Sequence, residues 1–297
     1  VYDITVGTGG NGPGASTVGG DGADSVWNVN AEGSGITLTA SGGGGGAYNA
    51  NTPNATPVGG SGGGAAGGSG TALVGGLSDQ ADFPGAVSYG NAGGASPTGN
   101  NGAGGGGAGA VGGNESHPNG GDGGVGKYFA NFDAYGTDAS NTIGATPGSG
   151  SGKGYFAGGG GGAGGGHTSP TQAVGGAGGG GKGARYNPGN TPNTVGYDNT
   201  GGGGGGASHN GAYTGAANGK DGGSGIVLLR HRSESYNNMS LVSNSQTAQA
   251  QPTTADVVLT YTNGVGTATI NTDLIASVSR DGGTTYTTVT LASQGTT

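Results

Sequence analysis

The sequence predicts a mostly irregular, all-β fold: a polyglycine II helix sandwich framed by short β-strands and followed by a small antiparallel β domain. Three observations predict it. Glycine accounts for 83 of the 297 residues. Only 30% of the residues are hydrophobic and 6% aromatic, which is poor material for an apolar core. Short β-branched segments precede and follow the glycine region, whose tracts occupy residues 42–46, 62–70, 104–107, 158–166, 178–181 and 201–206.

The glycine tracts favour a particular backbone. A single tract loses so much entropy on ordering that it is typical of a flexible linker. Glycine also adopts the left-handed helix with three residues per turn, whose amides and carbonyls make no bonds within the helix and can bond to neighbouring helices. Residues 61–70 break the collagen period, so a stacked array is the better interpretation. Disorder is the alternative, but the low charge of 8% and the framing strands disfavour it.

The framing segments predict strands and domain limits. Alternating or β-branched residues predict strands at 1–6 and 36–40, and the apolar run 226–229 predicts a buried strand pairing with one of them. We therefore expect a glycine-rich domain over 1–232, a polar linker over 233–255 and an antiparallel β module over 256–297. That module consists of two predicted hairpins, 256–262 with 267–270 and 274–279 with 286–291. The chain begins and ends in mid-pattern, which predicts a longer protein.

Loops rich in tyrosine, asparagine and serine separate the tracts. Tyrosine beside small polar residues is the composition of antibody paratopes, and loops on a rigid scaffold are where binding usually occurs. We expect some of the rings to contact a partner and others to cover the ends of the stacked polyglycine array, here called the slab. The candidate receptor-binding residues are Tyr48, Tyr89, Tyr128, Phe129, Phe132, Tyr135, Tyr155, Tyr186, Tyr197 and Tyr213.

Charge and residue usage disfavour several function classes. A net charge of -8 with eight scattered basic residues predicts no nucleic-acid partner. No apolar stretch is long enough for membrane insertion, and no cysteine is present. The four histidines lack ligand spacing, and no acid pair or nucleophile set is recognisable. We therefore expect no enzyme activity and no cofactor.

One short motif suggests calcium. Residues 19–27 fit the calcium nonapeptide of β-roll proteins, which makes Asp21 and Asp24 weak candidate metal ligands. Because β-rolls share ions between tandem copies and no second copy follows, the favoured interpretation is that Val26 and Trp27 pack against a neighbouring strand.

The framing motifs resemble a known family. An Ile-Thr-Val-Gly strand at 4–7, a Gly-Gly-x-Gly-x-x-Ser stretch at 19–25, Ile-Thr-Leu-Thr-Ala at 36–40 and Gly-Gly-Ser-Gly-Ile-Val-Leu-Leu-Arg at 222–230 stand in this order. Together they resemble the glycine-rich domain of phage tail-fibre and tail-tip proteins. The alternation of tracts and loops is similar to the tip adhesins of T-even-type phages, whose receptor-binding domain is a polyglycine II sandwich. The resemblance covers about 1–232, and the β module after it departs from those adhesins.

The resemblance implies a function. It implies a virion protein of the tail fibre or tail tip that acts outside the cell and binds a host surface glycan or an outer-membrane protein. It also implies contacts with other virion tail proteins and, by analogy with phage fibres, a homotrimer. The alternatives are a purely structural fibre segment, an ice-binding polyglycine bundle and a calcium-stabilised surface protein. Long tyrosine and asparagine loops disfavour the ice-binding alternative, which needs a flat regular face.

Overall fold

The computed structural model describes residues 2–12, 14, 17–29, 35–47, 57–67, 70–139, 153–165, 170–185, 191–207, 218–230, 239–263 and 266–295. The chain divides into two compact units, Val1–Arg230 and His231–Thr297. The described residues contain short strands, one 3-10 helix at Ala130–Phe132 and no α-helix. The mostly irregular, all-β class is therefore confirmed.

A three-stranded antiparallel sheet is formed near the start of unit 1. It consists of β1 (Tyr2–Thr5), β2 (Ser25–Val29) and β3 (Ile36–Ala40), in the order β1-β2-β3. Trp27 of the central strand lies opposite Ile4 on one side and Leu38 on the other. The predicted strands at both edges are confirmed. Val26 and Trp27, which were expected to pack against a neighbouring strand, belong to strand β2 themselves and are paired on both sides.

The longest glycine tract bonds to its neighbours with a repeat of three residues. One neighbour accepts from every third amide: Gly158, Gly161 and Gly164 donate to Gly178, Gly181 and Ala184. A second neighbour accepts from the next position, since Gly159 and Gly162 donate to Gly124 and Gly121. A third donates to the tract, with Gly203 and Gly206 bonding the carbonyls of Gly158 and Gly161. A β-strand alternates between two sides, whereas this segment turns to a new neighbour at each residue.

Eight such extended segments, here called the ring threads, form a closed circuit of backbone hydrogen bonds. In order around the circuit they are residues 7–12, 19–23, 42–47, 60–65, 102–107, 158–164, 202–207 and 220–225. On one side the bonds are Gly20 N to Asn11 O, Gly22 N to Gly43 O, Gly44 N to Ser61 O and Gly106 N to Gly62 O, all 2.8–2.9 Å. On the other they are Gly105 N to Gly160 O, Gly206 N to Gly161 O, Gly223 N to Gly202 O and Gly222 N to Gly10 O, again 2.8–2.9 Å. The last of these bonds closes the ring.

The interior of unit 1 is built from backbone and small residues. Among the described residues, the buried hydrophobic ones are seven alanines and Phe156. A Cβ added to Gly104 would lie 1.9 Å from the carbonyl oxygen of Asp122, and one added to Gly160 would lie 2.0 Å from that of Gly204. Adjacent threads are therefore too close for any side chain between them, so backbone hydrogen bonds supply the cohesion that apolar side chains give an ordinary core.

The strand predicted at 226–229 is wrong. The backbone pairing of this stretch ends at Gly225, whose amide donates to the carbonyl of Gly7 at 2.9 Å, and residues 226–229 belong to no strand. Leu229 is 59% exposed. The apolar run resembles a buried strand in sequence, but it does not pair with β1, which bonds only to β2 in the described sheet.

Unit 2 contains one of the two predicted hairpins. Strands β6 (Ala276–Val278) and β7 (Thr287–Val289) pair antiparallel, which confirms the second hairpin. The first is wrong, because the described residues of 256–263 and 267–270 form no strand pair. Val258 is 89% exposed, so the alternating pattern of this segment covers no second layer.

Candidate functional site

A short strand pair positions the candidate site in unit 1. Strands β4 (Lys127–Tyr128) and β5 (Tyr155–Phe156) run antiparallel, with Lys127 opposite Phe156 and Tyr128 opposite Tyr155. Each strand joins a glycine thread, since Gly126 donates to the carbonyl of Ala177 at 2.7 Å and Gly158 to that of Gly178 at 3.0 Å. The pair thereby ties the aromatic residues directly to the slab.

Five rings and one amine lie on or beside this strand pair and are here called the aromatic cluster: Tyr89, Tyr128, Phe129, Tyr155, Phe156 and Lys127. The rings of Tyr128 and Tyr155 are tilted, with centroids 5.1 Å apart. Phe129 meets Tyr89 edge to face at 5.8 Å and approaches Phe156 at 6.4 Å. The ammonium of Lys127 lies 4.4 Å from the centroid of the Tyr89 ring, a cation–π distance.

The loop after β4 is fixed by backbone bonds to the segment before β5. The amide of Phe129 donates to the carbonyl of Gly154, and the amide of Gly154 to that of Tyr135, at 2.9 and 2.7 Å. Thr137 is 1% exposed, and its hydroxyl oxygen accepts from the amide of Gly178 at 2.6 Å. Gly136 is needed at its position, because its φ is +72° and an added Cβ would lie 2.9 Å from the ring of Phe156.

The cluster and the adjoining Tyr135 have an inner and an outer side. Phe156 is 7% exposed and anchors it, whereas Tyr128, Phe129 and Tyr135 are 42%, 37% and 39% exposed. Outward-facing rings beside an ammonium group can stack on a sugar ring or an aromatic side chain and can attract an anionic group. The arrangement is therefore suited to binding.

The structure brings together four of the predicted residues: Tyr89, Tyr128, Phe129 and Tyr155. Phe132 and Tyr135 belong to the same loop, through the bonds of the Phe132 amide to Phe129 and of the Tyr135 amide to Phe132. Tyr197 lies on another thread, where its amide donates to Gly179, and it makes no ring contact among the described residues. Burial raises the pKa of Tyr197. Tyr48, Tyr186 and Tyr213 lie outside the described residues.

Asp21 and Asp24 have a structural partner. The Asp21 carboxylate accepts from the amide of Gly45 at 2.8 Å, and that of Asp24 accepts from Gly42 at 2.9 Å. These bonds hold the first glycine tract against the 19–23 thread. In the parts of the chain that the structure describes, no group of three or more His, Cys, Asp or Glu side chains could hold a metal ion.

Sequence reasoning missed two features of unit 1. Lys127 was not singled out, although its position directly before two aromatic residues was a readable signal. It also missed a buried polar cluster in the 96–117 region, where Glu115 is 5% exposed and accepts from the Thr98 amide at 2.9 Å and the Asn101 side-chain amide at 3.1 Å. Asn101 in turn accepts from the Gly165 amide at 2.8 Å. These bonds fix loop positions, and no sequence motif announces them.

Comparison with protein-family models, with curated proteins and with solved structures gives no match to this chain. Among the described residues, no helix has the length and apolar character needed to cross a bilayer.

Proposed function

We propose that this chain is a phage tail-fibre or tail-tip adhesin module, in which a polyglycine II slab presents aromatic loops to a receptor on the host surface. The observation that carries the proposal is the aromatic cluster with the adjoining Tyr135: three rings are more than a third exposed, beside a buried Phe156, and their segments are bonded into the glycine threads. Solvent-exposed aromatic residues on a rigid scaffold are typical of recognition surfaces.

The polyglycine II part of the proposal rests on the backbone bonding. The repeat of three residues along 158–164, with at least three different neighbouring segments, is what a left-handed threefold helix predicts. The short distances from added Cβ positions to neighbouring carbonyls support the same packing.

The receptor class that fits the cluster best is a surface glycan or an outer-membrane protein. Tyrosine and phenylalanine rings stack on the apolar faces of sugars, and Lys127 adds a positive charge for acidic groups. Recognition would gain from several copies on one fibre, since linked weak contacts increase avidity without new chemistry. A homotrimer in the virion, beside other tail proteins, follows from the same resemblance.

Binding to an array of bacterial surface polysaccharides and to outer-membrane vesicles tests the proposal. We expect the full chain to bind at least one probe, and Tyr128→Ala with Tyr135→Ala to weaken that binding about tenfold or more, because central interface aromatics dominate affinity. Val18→Ala is the matched control, since Val18 is 39% exposed and the thread that follows it bonds to Gly46 and Asn11, not to the strands of the cluster. Equal binding by all variants, or no binding to any probe, would refute the adhesin function.

A structural fibre segment is the second candidate, and unit 2 favours it. Residues 239–263 are exposed throughout, including Leu241 at 83% and Val258 at 89%. Apolar residues left uncovered along an extended segment are typical of a surface that packs against another subunit. This candidate predicts assembly with other copies or tail proteins, and no binding to the probes above.

A further inference from the structure

The eight ring threads enclose a cavity of about 600 Å³. Its wall consists of these threads and the residues adjoining them, with Gln80, Tyr89 and His117 added from loops. Every other described thread lies outside the ring. In hexagonal packing one thread has six neighbours, whereas two adjacent threads together have eight. The ring therefore surrounds a space with the cross-section of two side-by-side threads.

The 60–65 thread directs backbone amides into this cavity. In a trans peptide the carbonyl and the following amide point in opposite directions. The carbonyl of Gly60 accepts from the Ser78 hydroxyl at 2.7 Å and that of Gly63 from the Gly76 amide at 2.8 Å, both outside the ring. The amides of Ser61 and Gly64 consequently point inward, and neither has a hydrogen-bond partner among the described residues.

Other ring threads repeat this arrangement. The amides of Gly160, Gly204 and Ala207 also point inward, because the carbonyl before each of them accepts a bond from outside the ring. Those carbonyls accept from the amides of Gly176, Gly181 and Ala184, respectively, at 2.8–3.0 Å. The 102–107 thread has the opposite polarity. Its Gly104 and Gly107 amides donate outward to Gly113 and Ala110, so the carbonyls of Ala103 and Gly106 point inward, also without a partner in the described chain.

The inward groups recur at every third residue. The spacing holds for the amides of Ser61 and Gly64, for those of Gly204 and Ala207, and for the carbonyls of Ala103 and Gly106. Three residues of a threefold thread rise about 9 Å. A ligand that matches the wall must therefore offer acceptors and donors at this interval along an extended axis. An extended peptide in the same threefold conformation presents donors and acceptors at this interval, whichever direction its chain runs.

The wall also restricts what the ligand can carry. At many positions where two threads already adjoin, a Cβ on one would lie about 2 Å from a carbonyl of the other, as at Gly104 and Asp122. A chain bonded to the wall in the same way must therefore lack side chains on the faces that touch it. We propose that the cavity is a binding site for an extended glycine-rich peptide segment held by backbone hydrogen bonds. The wall shares Tyr89 and Phe156 with the aromatic cluster, but the proposed site uses the backbone groups of the ring threads and does not depend on receptor recognition.

A soluble probe tests this directly: a hexaglycine peptide with one lysine at each end for solubility, titrated into the full chain by NMR. We expect saturable binding, with the largest shifts and slowed hydrogen exchange at the amides of Ser61, Gly64, Gly160 and Gly204. The same peptide with six alanines in place of glycine should bind at least about tenfold more weakly, because its methyl groups would meet the wall carbonyls.

Two wall glycines supply variants that block the site and leave the fold intact. A Cβ on Gly105 would lie between Gly160 and Gly62, no closer than 3.6 Å, and one on Gly222 between Gly202 and Gly10, no closer than 3.4 Å. Both point into the cavity, so Gly105→Ala with Gly222→Ala should fold normally and lose at least tenfold in affinity. Val74→Ala, on an outer thread and 69% exposed, is the control.

Three outcomes would overturn the proposal. They are no hexaglycine binding by the folded protein, equal binding of the alanine peptide, and binding unaffected by the double variant. In the first case the inward groups bond only to solvent, and in the other two the peptide binds without fitting between the threads of the cavity wall. None of these outcomes changes the binding of glycans or vesicles, so they can be told apart from a failure of the adhesin function.

Discussion

Adding one methyl group at adjacent glycines should have opposite effects on stability. An added Cβ at Gly104 would lie 1.9 Å from the Asp122 carbonyl oxygen, backbone that cannot rotate away. At Gly105 the nearest atom would be 3.6 Å away, an ordinary contact. Gly104→Ala therefore forces two threads apart, whereas Gly105→Ala places a methyl group in ordinary contact with the ring wall.

The magnitudes follow from what each methyl group displaces. Replacing glycine by alanine where the backbone permits it stabilises a protein by about 0.4–1 kcal/mol, through the unfolded chain. At Gly104, overpacking costs about 1–3 kcal/mol. Separation of the threads also endangers the bond from the Gly104 amide to Gly113, and one buried unsatisfied group costs about 1–3 kcal/mol more. We expect Gly104→Ala to destabilise unit 1 by about 1.5–5 kcal/mol net and Gly105→Ala to stabilise it slightly.

Urea unfolding followed by fluorescence of Trp27, the single tryptophan, measures both variants. The slope of the transition should stay constant while the midpoint falls for Gly104→Ala and rises for Gly105→Ala. If both midpoints match that of the unsubstituted protein, or if both fall equally, the close packing of threads by backbone contact is refuted.

Three further predictions concern other residues. Phe156→Ala should lower the free energy of unfolding by about 3–5 kcal/mol in urea, because the ring is only 7% exposed. Tyr135 is 39% exposed, so Tyr135→Ala should change that free energy by less than about 0.5 kcal/mol. Equal losses would contradict the division into inner and outer rings. Thr137→Val should cost about 1–3 kcal/mol because the Gly178 amide loses its acceptor, and an unchanged urea midpoint would show that this amide finds another one. In unit 2, hydrogen bonds from the Thr285 hydroxyl and amide and from the Ser279 hydroxyl hold the pKa of Asp281 well below its ordinary value. The resulting stabilisation of the turn is present above the unfolded-state pKa and is lost as pH falls through the folded-state pKa. The carboxyl NMR shift of Asp281 should report the lowered pKa and show it moving back toward the ordinary value in Thr285→Val; an ordinary pKa of Asp281 in the unsubstituted protein would refute this.

The amino-acid sequence by itself determined the class of the fold. So much glycine, so few apolar residues and the β-branched segments at 2–5 and 36–40 leave backbone bonding as the main source of cohesion. Local residue preferences also predicted the β6–β7 hairpin, because its strands alternate around a polar turn. These features depend on neighbours along the chain, which a sequence displays.

Other parts of the chain misled the same reasoning. The apolar run 226–229 and the alternating segment 256–262 look like strands, but a strand exists only when another segment pairs with it. In the described structure neither segment is paired, although β1 is an edge strand with one unpaired side. Whether two segments meet depends on residues distant in the chain, and a local pattern does not contain it.

The tertiary structure alone decided which loops meet. Tyr89 and Phe129 are forty residues apart in sequence, yet their rings lie 5.8 Å apart, because successive threads return the chain to the same region of the slab. The closed ring of eight threads is likewise invisible in the sequence, since glycine carries no side chain to mark which face of a thread looks inward. The composition determined that backbone hydrogen bonds hold this protein together, whereas backbone pairing between distant segments determined where its aromatic rings and its cavity lie.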